Sequence, residues 1–257
     1  MSPSQQERAF AWSFDRLAGD CPWPEIRARC DAALAKNTAF VLIMRGSDAR
    51  ADPSLLSDAD RERAGRFVRD RDRNNLVLGR TLLHHLVRPQ GAPGPCELRR
   101  GTHGKPFIPG VPDFNVSHSA DYVACAVSPY GSVGLDVEAS LDASEINSLL
   151  RTVAHPEERR VIGSAEESKQ VLLFMRCWTR KEALLKATGV GLIDKLDTLD
   201  TKLSECQPLL TAPFNFRLVD LHEDKIGIPG ALALSIDIHG ADVCFADLRE
   251  YHSRSTC

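Results

Sequence analysis

Phe174-Met175-Arg176-Cys177-Trp178-Thr179-Arg180-Lys181-Glu182-Ala183-Leu184-Leu185-Lys186 is the stretch on which the reading of this chain turns. No residue in it breaks a helix. At about 100° per residue, Phe174, Met175, Trp178 and Leu185 fall on one arc. Glu182 projects from the middle of that arc, and Lys186 lies one turn later at its margin. A carboxylate inside an apolar stripe is costly unless a cation or a hydrogen-bond donor compensates it. An exposed Glu–Lys pair four residues apart, a contribution of about a few tenths of a kcal/mol, fits the spacing but not the placement.

Upstream, Ser132-Val133-Gly134-Leu135-Asp136-Val137-Glu138 reads as a strand. Alternation puts Val133, Leu135 and Val137 on one face and Asp136 and Glu138 on the other. Neighbouring carboxylates at the end of an apolar strand repel each other unless a cation lies between them, which suits a hard divalent ion with oxygen ligands. The competing reading is a half-exposed strand with a solvated acidic face. Further upstream, Phe114-Asn115-Val116-Ser117-His118-Ser119 is a short strand running into small polar residues, where a hydroxyl and an imidazole can meet a phosphate at a cleft edge. A histidine there can equally be a surface or structural residue. Gly101-Thr102-His103-Gly104-Lys105-Pro106 is a turn that presents a lysine beside Arg99 and Arg100, without the spacing of a Walker loop. Between Arg61 and Arg73 lie six arginines against three acids. Arginine forks suit phosphate, although such a run is commonly a solvated helix face.

Beyond these segments, Ala39–Met44 reads as a buried strand, and Ser57-Asp58-Ala59-Asp60 opens a helical region that reaches about Val87 with a break near Asp70–Arg73. Gly79 in that region suggests close approach of another helix. Pro89 to Pro95 forms a loop. Strands are expected at Phe114–Val116, Tyr122–Val127, Val133–Val137, Asn215–Leu221, Ala231–Ile238 and Val243–Leu248. Helices are expected at Ser144–Val153, Pro156–Ile162 and Glu167–Ala187. Residues 1–37 show no clear period. This mixture argues for an α+β fold rather than a regularly alternating parallel sheet.

Of the 257 residues 43% are hydrophobic, enough for a sizeable core, and the net charge is −3. That balance excludes a nucleic-acid protein driven by bulk positive charge, so any phosphate-bearing ligand must be captured by local basic groups. The eight cysteines contain no Cys-x-x-Cys pair, which gives a structural zinc site little support. With no signal-like N-terminus and no long uncharged apolar run, the expectation is a reducing, cytoplasmic location away from membranes.

Taken in order, Gly104-Lys105-Pro106, Asn115-Val116-Ser117-His118-Ser119, Gly134-Leu135-Asp136-Val137-Glu138 and Trp178 to Leu192 resemble the 4'-phosphopantetheinyl transferase family, in its larger monomeric type. The likeness covers roughly Leu56 to Leu192. It implies a pseudo-dimer of two similar α/β subdomains, residues 1–130 (with an extension over 1–37) and 131–257, with coenzyme A in the cleft between them. Carried over by position, Asp136, Glu138 and Glu182 bind Mg²⁺ (or Mn²⁺), and Lys186 lies near the reacting phosphate. Ser117, His118, Lys105, Arg63 and Arg100 hold coenzyme A. Some relatives have lysine where Asp60 stands here, which leaves the first-helix clamp to Arg63, alone or aided by Arg61, and some lack the acid equivalent to Glu138. The implied reaction moves 4'-phosphopantetheine to a serine of an acyl carrier protein, or of a carrier domain in a fatty acid, polyketide, peptide or aminoadipate-type synthase. Glu182 is the expected base. The rival readings are a non-catalytic coenzyme A-binding protein of the same fold, an unrelated magnesium phosphohydrolase and a structural interaction module.

Overall fold

Strand β2 (Thr38–Arg45) is buried from Thr38 to Met44, because its β-branched and aliphatic side chains are covered on both faces. In the computed structural model, residues 11–45, 50–139, 141–189, 196–204, 209–211, 216–221, 228–235 and 240–246 are described. Around β2 the five-stranded sheet runs β1 (Ala11–Leu17), β11 (Gly240–Ala246), β2, β6 (Tyr122–Ser128) and β5 (Asp113–Ser119). A four-stranded sheet runs β7 (Val133–Val137), β10 (Gly230–Ser235), β9 (Phe216–Asp220) and β8 (Leu209–Thr211). The two-residue strands β3 (Arg99–Arg100) and β4 (Pro106–Phe107) close the turn that carries Lys105.

The two sheets pack face to face. Val41 and Ile43 of β2 share one apolar cluster with Val133, Leu135 and Val137 of β7 and with Leu232 and Leu234 of β10. The opposite face of the first sheet is covered by α1 (Trp23–Ala35) and α3 (Asp70–Leu86) through Ile26, Leu78 and Leu82. The opposite face of the second sheet is covered by α6 (Glu167–Thr188) through Ala183, Leu184 and Ala187 against Leu218, Ala231 and Ala233. The order is therefore helix, sheet, sheet, helix, an α+β fold with α1 and α3 on the first sheet and α6 on the second. Helix α2 (Asp58–Gly65) precedes α3, and α4 (Ala143–Val153) and α5 (Pro156–Ser164) pack along α6.

The helix break falls at 66–69, immediately before Asp70–Arg73 and so near where the sequence puts it. Two sequence expectations change. Gly79 does not receive a helix: a Cβ there would lie 3.3 Å from Val116 Cγ1, so α3 approaches strands instead. Residues 1–37, without visible period, hold β1 and α1. Helix α1 buries only Ile26, Cys30 and Ala33, a faint stripe, and β1 pairs in parallel with β11 near the other end of the chain. The strand β11 thus completes a sheet whose other four strands lie before residue 130.

Gly134 sets how closely α6 lies on β7. A Cβ at this position would stand 1.9 Å from the Ala183 carbonyl oxygen and 2.4 Å from the Ala187 nitrogen. Both are backbone atoms and cannot rotate aside. Gly134→Ala is expected to destabilise the protein by about 3 kcal/mol or more through overpacking, measured by denaturant unfolding. A loss below about 0.5 kcal/mol, the range of ordinary surface changes, would contradict this contact.

Candidate active site

Strand β5 lies beside β7 but contributes side chains, not main chain, to the join. The N–H of Val133 donates to Asp113 Oδ2 at 2.8 Å, that of Leu135 to Asn115 Oδ1 at 3.0 Å, that of Val137 to Ser117 Oγ at 3.3 Å and that of Ala139 to Ser119 Oγ at 2.9 Å. The period of two is that of a strand, so alternate residues 113, 115, 117 and 119 all face β7. Val116 and His118 point elsewhere, and His118 is exposed at the cleft mouth.

This join buries Asp136, which is only 2% exposed. Its Oδ1 accepts from Lys186 Nζ at 2.5 Å and from Ser117 Oγ at 3.1 Å, and Lys186 Nζ also lies 3.1 Å from Ser117 Oγ. Asp136 Oδ2 is buried without a hydrogen-bond partner. Burial pushes the carboxyl up to about 7, with Lys186 opposing and Glu138 and Glu182 reinforcing the rise. Glu182 is half-buried, and its pKa is also raised, by desolvation first and, against the pull of Lys186, by Glu138. Glu138 follows the strand, its Oε2 accepting from Ser119 Oγ at 2.6 Å. The three acids thus feel one another, but among the described residues no three acidic, histidine or cysteine side chains converge as a ready-made metal cluster. The orphaned Oδ2 and the raised carboxyls are nevertheless what a hard cation would satisfy.

A pocket of about 270 Å³ opens beside these groups, lined in part by Lys105, Asn115, Glu182, Lys186 and Gly189. Lys105 Nζ is already held by Asp113 Oδ2 at 2.5 Å and by the Val133 carbonyl at 3.0 Å, so its ammonium braces the ladder. Arg100 is exposed, and its Nη1 donates to the Gly104 carbonyl at 3.0 Å. Arg63 is exposed on α2 and, with Lys186, lies near enough to His118 to depress its pKa, second to the partial loss of water around the imidazole. Asp60, where some relatives carry lysine, is not part of this group: it pairs with Arg80 through two contacts of 2.7 and 2.8 Å. Arg61 is likewise spent on Asp58 and the Leu56 carbonyl. The Val190–Leu192 end of the helix motif lies outside the described residues.

Two residues of the same helix escaped the sequence reading. Lys181 is fully buried, its Nζ 2.6 Å from both the Val153 carbonyl and Glu158 Oε2 and 2.9 Å from the Leu196 carbonyl. Arg180 grips Asp220 through two contacts of 2.8 and 2.7 Å. Glu158 also accepts from the Thr201 hydroxyl at 2.6 Å. The signal available in the sequence was position: both cations lie one or two residues before Glu182, on the side of α6 turned away from the cleft, where buried charges must be paired.

Buried acids against one lysine, with a histidine and exposed arginines at the rim, make a site suited to a ligand rich in phosphate. Residues 132–228 match the model of the 4'-phosphopantetheinyl transferase superfamily, and residues 47–130 match that of the 4'-phosphopantetheinyl transferase N-terminal region. The chain is 33% identical over 169 residues to the 4'-phosphopantetheinyl transferase HetI of Nostoc sp., a match spanning 62% of this chain and 71% of that relative. It is 27% identical over 257 residues to a phosphopantetheinyl transferase of Thraustochytrium sp., spanning 90% and 80% of the two chains. With the 4'-phosphopantetheinyl transferase AcpT of Escherichia coli it shares 32% identity over 142 residues, 52% of this chain and 70% of AcpT. The chain belongs to the 4'-phosphopantetheinyl transferase superfamily.

The state of Asp136 has a measurable sign. Its ordinary pKa is 3.8 and its folded value about 7, so between these limits the native state holds a proton that the unfolded chain has lost. In protein free of divalent cations, this group makes stability fall as pH rises from about 4 to about 7. The difference in unfolding free energy between wild type and Asp136→Asn should change in the variant's favour across that window. A difference independent of pH would mean that the carboxyl is ionised throughout.

Proposed function

We infer that the protein transfers the 4'-phosphopantetheine group of coenzyme A to a serine of a carrier protein, releasing adenosine 3',5'-bisphosphate. The observation that carries this reading is the juxtaposition of Asp136, Lys186 and the pKa-raised Glu182 beside a pocket, in a chain of this superfamily. Asp136 and Glu182, with Glu138 as third acid, would hold Mg²⁺ (or Mn²⁺), which when bound neutralises charge on the pyrophosphate. Lys186 offsets negative charge on the phosphoryl group being transferred. Arg63 and His118, with Arg100 and the Lys105 turn, orient the nucleotide end. Ser117, with its hydroxyl on Asp136 and Lys186, steadies both in the resting site.

The carrier serine oxygen forms the new bond to phosphorus as the phosphoanhydride oxygen leaves with the adenosine bisphosphate. Phosphoryl transfer of this kind asks mainly for positioning and charge neutralisation. Glu182 takes the serine proton, and its raised pKa brings it nearer the range where a carboxylate is an effective base. The partner is a small acidic helical carrier protein or domain steered by basic side chains at the rim, and the enzyme acts as a monomer. A division into halves at 130/131 is supported by family matches that end at residue 130 and begin at residue 132, with β11 returning to the first sheet. A cytoplasmic location agrees with the free, buried thiols of Cys21, Cys30, Cys96, Cys125, Cys177 and Cys244 and with the lack, among the described residues, of a helix long and apolar enough to cross a membrane.

Glu182→Gln should lower transfer about 10² to 10⁴-fold, read as mass gain on an apo carrier protein, while keeping measurable binding of coenzyme A. Undiminished transfer would remove Glu182 from the chemistry. Coenzyme A binding by wild type without transfer to any of a panel of apo carriers would favour the non-catalytic reading instead.

A further inference from the structure

A second hollow, of about 590 Å³, lies between the start of α1 and the end of α3. Its lining includes Trp23, Arg27, His84, His85, Arg88 and Pro89. Asp72, near the N-terminal end of α3, lies within electrostatic reach of His118 in the cleft. His85 is thirteen residues further along that helix, roughly 20 Å at 1.5 Å per residue. The hollow is therefore separate from the candidate active site.

Arg88 lines the hollow, and among the described residues its buried Nη2 has no hydrogen-bond partner, while Nη1 lies 3.1 Å from His84 Nδ1. A buried charged donor left unmet costs more than a neutral one, so such a group needs an acceptor. The α3 C-terminus would ordinarily repel an anion through its free carbonyls. Here Arg27 Nη1 covers two of the last ones, donating to the Arg88 carbonyl at 2.9 Å and to that of His85 at 3.4 Å, while its Nε is held by Asp31. The remaining wall is rigid: Trp23 and His85 stack with ring centroids 4.2 Å apart and planes inclined by 6°, and the Arg50 guanidinium carbon lies 5.4 Å from the Trp23 ring centroid. Burial, and then the neighbouring His84, lowers His85 to about 4, and burial followed by Arg88 lowers His84. Both rings are thus neutral at pH 7 and able to gain protons beside an incoming anion. The acid facing them is Asp52, which is occupied in holding Ser54.

We propose that this hollow binds a small organic anion, a phosphate or carboxylate on a compact apolar body, with Arg88 as the principal contact and Trp23 and Pro89 enclosing the body. Both ligand classes present the same chemistry, anionic oxygens to a guanidinium fork. The probes are inorganic sulfate, a dianion across the pH range used, and phenyl phosphate and benzoate, which add an apolar ring. Binding is followed at the Trp23 indole N–H by NMR on the full chain, with Trp23→Phe assigning the signal.

Saturable shifts are expected, tighter for phenyl phosphate or benzoate than for sulfate. Sulfate should bind more tightly at pH 5 than at pH 8, as His84 and, only in part because of its lower pKa, His85 take up protons against Arg27, Arg50, Arg88 and Asp52. Arg88→Ala should weaken binding about tenfold or more, whereas Arg63→Ala, in the cleft, should leave the Trp23 shift intact. Arg88→Gln, similar in reach but uncharged, replaces the alanine variant if that fails to fold. Carrier modification by the Arg88 variants should be unchanged, which separates this site from the proposed activity. Shifts that stay linear with concentration, or that survive loss of the Arg88 charge, would overturn the proposal. Equal affinity for sulfate and both ring compounds would overturn the organic part of it.

Discussion

The contact on which the rest depends is between backbone and backbone, at Gly134. Because this residue has no Cβ, α6 rests directly on β7, its Ala183 carbonyl where a side chain would otherwise stand. Ala183 and Ala187, four residues apart, keep the helix face equally thin. The close approach lets Lys186 reach Asp136 across the interface and brings Glu182 to the same pocket. A larger residue at 134 would lift the whole helix, and a shift on the order of 1 Å in a catalytic constellation is enough to lose activity. On its far side α6 is held in rotation by Arg180 on Asp220 and by Lys181 on Glu158 and two carbonyls. The helix is thereby fixed from both sides: one polar face braces it, and the other carries Glu182 and Lys186 beside the pocket.

The second constraint is the side-chain ladder from β5 to β7. The main chain of β5 pairs with β6, and β7 pairs with β10, so the outward N–H groups of β7 would be buried without acceptors. Asp113, Asn115, Ser117 and Ser119 supply those acceptors, and Lys105 ties the first rung to the turn above it. The halves are therefore joined by polar groups at strand spacing beneath a cleft. Ser117 gains a dual position from this, touching both the β7 backbone and the Asp136–Lys186 pair. Structural satisfaction and site geometry are here the same set of hydrogen bonds.

Much of the site is legible in the sequence because periodicity carries it. Alternation separates Asp136 and Glu138 from Val133, Leu135 and Val137, and the helical period places Glu182 and Lys186 toward a common interior. The direction of Ser117 is not legible, since a strand seen alone does not tell which of its faces meets another strand. Lys105 reads as a free phosphate contact because its partners, Asp113 and the Val133 carbonyl, come from two other segments. The burial of Arg180 and Lys181 is not legible, because it depends on acids and carbonyls at 153, 158, 196 and 220 that no local pattern links to them. The fold follows the same division. The strands of the centre show themselves by continuous apolar runs, but β1 depends on a partner near the far end of the chain, and α1 hides behind a stripe made of Ile26, Cys30 and Ala33.

The charges around Asp136 also explain why one cavity contains both signs. Lys186 alone faces three carboxyl groups, and burial leaves Asp136 near pH 7 in its titration with one oxygen unmet. Adding a pyrophosphate to that set would place more negative charge beside acids already disfavoured by desolvation. A divalent cation between them would reverse the balance, because it would favour the ionised acids and the phosphate oxygens at once. Arg63 and Arg100 would not substitute, since they are exposed, and His118, with its lowered pKa, adds no charge at neutral pH. On the proposed reading the division follows from dielectric: exposed guanidinium groups would hold the nucleotide end at little desolvation cost, while the buried acids would keep the stronger interactions for the reacting phosphate.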